Sequence, residues 1–426
     1  MDKSSKEYSD LTKILEEELK TAMGCTEPIA IAYASARCRE LLGYIPEKVE
    51  VYASGSIIKN VKSVIVPNTG GLYGIEVATA AGIIFGNSSK KLEVISSATK
   101  DDIDRLNEYL KRNIIKVMYF KDSCTLDIKV IEYYKDNKAI VRVTNNHTSI
   151  THLEKNGEVI MHEDIKDDPN AGLTDRSFMN LTNIYDYVNT CDINDIKDII
   201  KHQIDCNVAI SNEGLIHEWG SNIGKVYMMT YGDDVKVRAS ARAAAGSDAR
   251  MNGCNMPVVV VSGSGNQGLT ASLPVYEYAK DLKVPDERLY RAIVLSDLVT
   301  IHIKTDIGRL SAYCGVVCAG AGAGAGIAYL RGSDIEGIGK TIQNALAINS
   351  GIVCDGAKSS CAAKIKSSVD AGIMGYDMYL AKKDFKQKDG IIGKNVEDTI
   401  KNVGKLGFVG MKETNDEIIN IMLSEE

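Results

Sequence analysis

The chain has 426 residues, of which 44% are hydrophobic and 25% charged, and this composition is typical of a globular protein. Its length is sufficient for two or three domains or for one large globule. The net charge of −7 argues against nucleic acid as the main partner.

Two further features bear on location. The first 20 residues are charged and amphipathic, so we predict no secretory signal, and ten cysteines without such a signal indicate the reducing cytoplasm rather than disulfides. Residues 311–330 carry no charge and are long enough to span a bilayer. Glycine and alanine dominate this stretch, however, so we predict a closely packed buried helix and no membrane partner.

In chain order, the first 45 residues read as N-terminal helices around a Gly-Cys-Thr-Glu-Pro turn. Residues 46–172 read as an α+β lobe. Its predicted strands and helices are strands at 48–54, 61–66, 92–99, 114–120, 125–133, 139–144 and 148–154, and helices at 75–85 and 101–112.

The polar stretch 159–175 contains Asp167, Asp168, Pro169 and Asn170 and is the predicted boundary between lobes. Beyond it, residues 173–426 show mostly helical spacing, interrupted by predicted loops at 245–253 and 262–268. We therefore predict an α+β fold in which a strand-containing lobe precedes a mostly helical, glycine-rich lobe.

The first candidate functional residue is Cys25, within the turn at residues 24–28. Thr26 is a plausible N-cap, and Pro28 suits the first turn of the helix that follows. A thiol just before a helix N-terminus is expected to have a lowered pKa. The alternative is a buried structural cysteine beside an ordinary cap.

A second candidate is the turn formed by Asn68, Thr69, Gly70 and Gly71, which precedes a helix-like run. Backbone N–H groups in such a turn can hold a small anion such as a carboxylate. The turn lacks the spacing of a dinucleotide fingerprint, and a plain tight turn is an equally good interpretation.

The glycine-rich loop at 262–268 offers backbone N–H groups together with Ser264, Asn266 and Gln267. Arg250 is placed to pair with a carboxylate. Considered singly, each has an ordinary alternative, since Arg250 can form a plain ion pair and Asn266 can be a turn residue.

Four of the ten cysteines fall between residues 310 and 364, namely Cys314, Cys318, Cys354 and Cys361. Thiols beside glycines suit a soft metal or a reactive sulfur, because missing side chains let a bulky group approach the backbone. The spacing does not match a zinc site, and the alternative is cysteine as a small buried hydrophobe. The histidines at 147, 152 and 162 read as solvated strand or loop residues.

Taken together, six motifs resemble those of the L-cysteine desulfidases, a family related to the α region of iron–sulfur L-serine dehydratases. They are GCTEP at 24–28, PNTGG at 67–71, SDARM at 247–251, SGSGNQG at 262–268, SAYCG at 311–315 and CDGAKSSC at 354–361. The motifs follow the family order over most of the chain.

The resemblance implies a non-redox [4Fe–4S] lyase that converts L-cysteine to hydrogen sulfide, pyruvate and ammonia. It implies Cys314, Cys354 and Cys361 as cluster ligands and Cys25 as the proton acceptor. Cys318 is outside the family pattern and is read as a packing residue. The chain also lacks the C-terminal cysteine with which related serine dehydratases cap their cluster, so the fourth iron's occupant stays open.

Other readings stay open beside this one. They are an L-serine dehydratase-like deaminase, a pyridoxal-phosphate β-eliminase, whose substrate loop the SGNQG run resembles, and a non-enzymatic iron–sulfur sensor. No convincing Schiff-base lysine precedes that loop in a Rossmann-like repeat, which argues against the pyridoxal enzyme. Whether the chain forms a homo-oligomer is also left open.

Overall fold

The computed structural model describes residues 1–121, 123–165 and 172–424. The strands are β1 (Thr21–Met23), β2 (Lys48–Ala53), β3 (Ile115–Tyr119), β4 (Asp127–Tyr134), β5 (Asn137–Thr144), β6 (Ile150–Lys155), β7 (Glu158–His162) and β8 (Pro257–Val259). The helices of the first 165 residues are α1 (Lys6–Glu18), α2 (Thr26–Leu42), α3 (Gly55–Val61), α4 (Ile75–Phe85) and α5 (Lys100–Lys111).

The helices after residue 172 follow almost without strands. They are α6 (Leu181–Thr190), α7 (Ile193–Ile216), α8 (Ile223–Tyr231), α9 (Val235–Met251), α10 (Gly265–Asp281), α11 (Asp286–Thr305), α12 (Gly315–Leu330), α13 (Ile335–Ile348), α14 (Cys361–Leu380), α15 (Val396–Lys405) and α16 (Lys412–Ser424). The protein is therefore α+β and mainly helical, as the sequence predicts.

A mixed six-stranded sheet has the order β3-β2-β4-β5-β6-β7. Only β2 and β3 are parallel, and the other neighbours form antiparallel pairs. Val49, Val51 and Ala53 alternate toward the buried face of β2, as expected for a sheet with one covered face. Helices α2 and α4 contribute their apolar residues to the same hydrophobic cluster, which we call the sheet core.

A second cluster, the helical core, is built largely from α6 to α15. Helix α12 lies at its centre, against α10, α11, α13 and α14. Glycine permits this packing, since a Cβ on Gly324 would lie 2.7 Å from the carbonyl oxygen of Gly372. The prediction of a buried, small-residue helix is thus confirmed, and in the described residues no helix is long and apolar enough to cross a membrane.

The N-terminal helices divide between the two cores. Helix α1 packs in the helical core, whereas α2 packs in the sheet core. Strand β1 joins the halves of the chain by pairing antiparallel with β8, and the C-terminal helix α16 packs on α3. Residues 166–171 of the predicted boundary at 159–175 lie outside the described residues, and its first residues belong to β7. The division into lobes at residues 46 and 173 stays a prediction.

Three predicted elements are wrong, and a fourth is wrong in part, since the loop predicted at 262–268 is helical from Gly265 onward. Most of the strand predicted at 61–66 is an irregular segment after α3 with one bridge, Ile65 to Tyr73. The strand predicted at 92–99 is the end of a short 3₁₀ segment and a turn. The adjacent residues Val94 and Ile95 are both buried there, without the alternation of a strand. The loop predicted at 245–253 is helical as far as Met251, because small buried residues let α9 continue against α10 and α14.

Candidate active site

A cavity of about 90 Å³ lies where the two halves of the chain meet. Its walls come from α2 and α3 on one side and from α9 to α12 and α14 on the other. The lining residues are Cys25, Thr26, Glu27, Asn60, Arg250, Ser264, Asn266, Gln267, Lys304, Arg309, Leu310, Ser311, Tyr313, Cys314, Gly315, Val316, Cys354, Gly356, Ala357 and Cys361.

Four helices begin at this cavity. They are α2, α10, α12 and α14, whose N-cap residues are Cys25, Ser264, Cys314 and Ser360. None of these four N-caps forms a side-chain capping hydrogen bond. First-turn N–H groups and helix dipoles therefore give this part of the cavity a positive potential that favours anions.

Cys25 occupies the N-cap position of α2, so the expectation that Thr26 caps this helix is wrong. Cys25 has the extended backbone of a cap residue, and the Thr26 hydroxyl donates instead to the Gly263 carbonyl at 2.9 Å. The thiol is only 1% exposed. Burial raises its pKa to about 12 despite the opposing pull of Arg250, so the predicted lowering of this pKa is also wrong.

Glu27 is a buried carboxylate on the cavity wall. Its Oε1 accepts a hydrogen bond from Asn60 Nδ2 at 3.1 Å, and its Oε2 lies 3.1 Å from the Thr26 hydroxyl, whose single proton is shared with the Gly263 carbonyl. The His147 ring nitrogen Nε2 lies 3.7 Å from Oε1. Burial opposes ionisation of Glu27, but the attraction of His147 outweighs it and lowers the pKa to about 2.

His147 is 6% exposed, so its interpretation as a solvated loop residue is wrong. It follows β5 in the sheet, and the fold carries it to the start of α2. His152 and His162, by contrast, form a cross-strand pair with their Nδ1 atoms 3.2 Å apart. They lie toward the far edge of the sheet and do not line the cavity.

Arg250 connects three of the sequence motifs. Its Nε donates to the Gly24 carbonyl at 2.9 Å, and its Nη1 donates to Asn266 Oδ1 at 3.1 Å. A side chain at Gly265 would overlap the guanidinium group, so this glycine allows its approach. Ser264 and Gln267 line the same wall at the first turn of α10.

Backbone pairing brings two of the three predicted ligand cysteines together. The Cys314 N–H donates to the Ile352 carbonyl at 3.0 Å, and the Cys354 N–H donates to the Ala312 carbonyl at 2.6 Å. The hydrogen bond from the Cys314 thiol holds the pKa of Cys354 well below its usual range, with help from Lys59. The same contact raises the pKa of Cys314.

Cys361 reaches the cavity at the start of α14, while Cys318 does not line it. Cys361 packs beside Cys25, Val64 and Met251 in a small apolar cluster. Cys318 is fully buried within α12, where it packs in the helical core.

Two buried lysines beside the thiols were missed by the sequence analysis. Lys59 is 2% exposed and donates to Asn415 Oδ1 at 2.7 Å and to the Cys354 carbonyl at 3.3 Å. Lys304 is 4% exposed, lines the cavity and makes no side-chain hydrogen bond within the described part of the chain. Burial lowers the pKa of both, and the nearby thiols oppose this.

The turn at 68–71 does not reach the cavity. Asn68 Nδ2 donates to the Ile95 carbonyl at 3.0 Å, and the Thr69 hydroxyl donates to the Val66 carbonyl at 2.7 Å. Gly70 and Gly71 have positive φ values and shape the turn itself. Pro67, which precedes the turn, packs against Gly24, so the turn supports the Cys25 segment from behind.

Known proteins resemble this chain over nearly its whole length. UPF0597 proteins of Desulfitobacterium hafniense and Lachnoclostridium phytofermentans are 52% and 47% identical to it, over 100% and 98% of the chain and 99% and 100% of their own lengths. A UPF0597 protein of Finegoldia magna is 46% identical over 97% of the chain and 99% of its own length.

The family described as serine dehydratase alpha chain matches residues 89–420. This range contains Arg250, the glycine-rich loop, the three thiols and Lys304, whereas Cys25 and Glu27 precede it. The match confirms the relationship to the α region of serine dehydratases that the motifs indicated. The chain therefore belongs to the serine dehydratase alpha chain family, and its activity is of the serine dehydratase-like lyase class.

Proposed function

We propose that this lyase converts L-cysteine to hydrogen sulfide, pyruvate and ammonia, with a [4Fe–4S] cluster held by Cys314, Cys354 and Cys361. The observation that carries the proposal is that three thiols from separated segments line the same cavity as Cys25 and Arg250. Family membership supplies the reaction class, and the six motifs that resemble L-cysteine desulfidases supply the choice of substrate.

The donor set suits such a cluster. Within residues 1–121, 123–165 and 172–424, no three His, Cys, Asp or Glu side chains converge on one point that a single metal ion would occupy. In a cubane cluster each thiolate binds a different iron atom, so convergence on one point is not required. The ammonium groups of Lys59 and Lys304 and two helix N-termini supply positive charge beside the thiols.

Bound in this cavity, such a cluster supplies a Lewis-acidic iron for a soft leaving sulfur. The chain's own residues orient the substrate. Arg250 and the first turn of α10 would hold the substrate carboxylate, and the substrate sulfur would then point toward Cys314 and Cys354. In that orientation the Cα–H bond would lie beside Cys25.

The elimination requires a proton acceptor and a leaving group. A base takes the α-proton, the Cα–H electron pair forms the Cα–Cβ double bond, and the Cβ–S bond breaks with its electrons on sulfur. The aminoacrylate that results hydrolyses to pyruvate and ammonia. Hydrosulfide leaves more readily than hydroxide, because S–H groups are much stronger acids than water: a cysteine thiol has a pKa of about 8.5, against about 15.7 for water.

We assign the proton transfer to Cys25. In the protein alone burial holds this thiol protonated, so it can act as a base only after it has lost its proton. Arg250 is the charged neighbour that lowers its pKa, and the uncapped N-terminus of α2 favours the same thiolate.

The test is an anaerobic assay of sulfide and pyruvate from L-cysteine, with an absorption spectrum of the same sample. We expect equal amounts of both products and a broad, oxygen-sensitive iron–sulfur band. The variant Cys25→Ser should keep this spectrum but lose about 10²–10⁴-fold in rate, the usual contribution of a general base. It should also stop exchange of the cysteine α-hydrogen with solvent deuterium.

Cys206→Ser is the matched control, because Cys206 is a half-buried thiol on α7 outside the cavity. It should keep the parent rate. A parent rate of hydrogen exchange in Cys25→Ser would remove the base assignment. A cluster without product would favour the iron–sulfur sensor, and a sharp pyridoxal band would favour the other eliminase.

L-Serine is the second candidate substrate, and the family description favours it. The leaving hydroxide would need a proton, and Lys304 is an N–H donor at the thiols. The ratio of kcat/KM for L-cysteine to that for L-serine decides between them. A ratio above one supports the desulfidase, and a ratio below one supports the dehydratase.

A further inference from the structure

The cavity contains one acidic side chain among positive groups. Of its lining residues, Arg250, Lys304 and Arg309 carry cationic groups, whereas Glu27 is the single carboxylate within the described part of the chain. A cavity that served only to bind an anion would be weakened by this buried negative charge. His147, which lies 3.7 Å from Glu27 Oε1 but does not line the cavity, offsets part of this charge, and the cavity side of the carboxylate stays open to a cationic group of a ligand.

The hydrogen bonds of Glu27 leave it with spare acceptor capacity. Oε1 accepts a hydrogen bond from Asn60, and Oε2 shares the single Thr26 proton with the Gly263 carbonyl, whereas an ionised carboxylate has about four acceptor positions. His147 Nε2, at 3.7 Å, is too distant for a hydrogen bond. The remaining lone pairs can accept from a ligand.

Two further acceptors line the same cavity. Asn60 Oδ1 and Gln267 Oε1 are buried and have no hydrogen-bond donor among the described residues. Asn60 is 8% exposed and Gln267 is 3% exposed. Because Asn60 Nδ2 is committed to Glu27, the other end of this amide must be its carbonyl oxygen, which fixes the acceptor.

The neighbouring Asn266 does not offer the same capacity. Its Oδ1 already accepts from Arg250 Nη1 at 3.1 Å, and its Nδ2 faces the sulfur of Met251 at 3.6 Å. Among the described lining residues, three groups that can accept but not donate thus remain for a ligand: the Glu27 carboxylate, Asn60 Oδ1 and Gln267 Oε1. An ammonium group has three N–H donors and one positive charge, which matches this set.

We propose that Glu27, Asn60 and Gln267 form the recognition site for the α-ammonium group of the substrate, so that the cavity selects free α-amino acids. The inference rests on the proposed function in taking an amino acid as the ligand. It extends that function by making the free amine, and not only the carboxylate, a requirement for binding. Arg250 and Glu27 then hold the two charges of one zwitterion.

The experiment compares two unreactive ligands, L-alanine and propionate, which differ by the amine. Their affinities for the full chain, prepared without oxygen, are measured by titration calorimetry. We expect the parent protein to bind L-alanine at least about 10-fold more tightly, since hydrogen bonds to charged groups are among the stronger ones. Glu27→Gln should weaken L-alanine about 10- to 100-fold but bind propionate equally well or better, because a repulsive charge is gone.

This opposite response of the two ligands is the decisive readout, because a general loss of structure would weaken both. Glu397→Gln is the matched control. Glu397 is also a partly buried carboxylate beside a histidine, with its Oε2 2.7 Å from His302 Nε2, but it does not line the cavity. It should leave both affinities unchanged. Glu27→Asp should retain the preference for L-alanine.

If Glu27→Gln does not fold, Gln267→Met removes one acceptor and leaves the carboxylate in place. It should weaken L-alanine about 5- to 10-fold and leave propionate unchanged. Equal affinity of the parent protein for L-alanine and propionate would overturn the inference, as would an unchanged preference in Glu27→Gln or Gln267→Met. Because neither ligand reacts, the two proposals can fail separately. If Glu27→Gln loses the preference for L-alanine while the parent protein forms no sulfide from L-cysteine, the ammonium site is supported and the proposed lyase reaction is rejected.

Discussion

The two ends of the cavity hold buried charges in different ways. At the carboxylate end, formed by Cys25, Glu27 and Asn60, the attraction of His147 outweighs the effect of burial and lowers the pKa of Glu27 to about 2. At the thiol end, formed by Cys314, Cys354 and Lys304, burial lowers the pKa of Lys304, and only soft sulfurs oppose it. A buried charge is therefore fixed where a partner of opposite charge lies beside it, as at Glu27, and depends on the cavity's occupant where only thiols lie beside it, as at Lys304.

The largest expected effect comes from a substitution at the thiol end of the cavity. Cys354→Ala removes the thiol that is most readily ionised, and we expect iron and inorganic sulfide to fall to a small fraction of the parent content. Loss of a metal centre costs several kcal/mol of transition-state stabilisation, so sulfide release from L-cysteine should drop about 10³-fold or more. Anaerobic iron and sulfide analysis and the product assay measure both.

Cys318→Ala is the control for that variant, because Cys318 is a buried thiol of the same segment that does not line the cavity. It should keep its cluster and tolerate a small change in packing. Parent levels of iron in Cys354→Ala would contradict the ligand assignment.

The next effect separates the two lysines. Lys59→Met leaves Asn415 Oδ1 and the Cys354 carbonyl without their donor, so it should lower the free energy of unfolding by about 1–3 kcal/mol. Lys304→Met removes a buried charge that has no hydrogen-bond acceptor among the residues that the structure describes, and the iron-free chain should be as stable as the parent or more stable. Denaturant unfolding of the iron-free proteins measures the difference.

Lys304→Met should nevertheless release iron faster in air than the parent protein does, because a positive charge beside the thiolates is gone. Equal destabilisation by the two substitutions would contradict the contrast between a fixed and an unfixed buried charge.

The smallest effect extends the comparison beyond the cavity, to Asp297 on α11. This side chain is fully buried, and its Oδ1 accepts one hydrogen bond, from Gln203 Nε2 at 3.1 Å. Burial raises its pKa to about 8, against about 3.9 in an unfolded chain. Between these values the folded state holds a proton that the unfolded state has lost, so stability falls as the pH rises through this window.

Between pH 5 and pH 7 the free energy of unfolding of the parent protein should decrease by about 1 kcal/mol per pH unit because of Asp297. Asp297→Asn should abolish this decrease. Denaturant unfolding at three pH values measures the slope. Asp205→Asn is the control, because Asp205 is exposed and pairs with Lys201 on the surface of α7. Identical slopes in parent and Asp297→Asn would show that Asp297 is ionised in the fold.

Local pattern was sufficient for much of the secondary structure. Helix α4 was predicted with its observed bounds, and β2 within one residue, because their apolar periodicities are uninterrupted. The same criterion missed the end of α9, where Gly246 reads as a helix breaker. Gly246 is tolerated there because Leu269 of α10 packs against it. This contact is not visible in any local sequence pattern.

The candidate site divides in a similar way. Cys25, Arg250 and the thiols stood out because their side chains carry chemistry beside glycine turns. Lys59 and Lys304 did not, since a lysine within an amphipathic run normally lies on the surface. Burial of these lysines, and of His147, is created by contacts between elements distant in sequence, and the sequence contains no local signal for it.

The four helix starts at the cavity have a consequence for the range of conditions in which the protein can work. Peptide groups do not titrate, so the attraction that they exert on anions is the same in acid and in alkali. No single side-chain substitution removes it either, since each helix contributes through its backbone. The pH dependence of ligand capture should therefore follow the ionisation of the ligand, and hydrosulfide, itself an anion, should leave this cavity more slowly than a neutral product would.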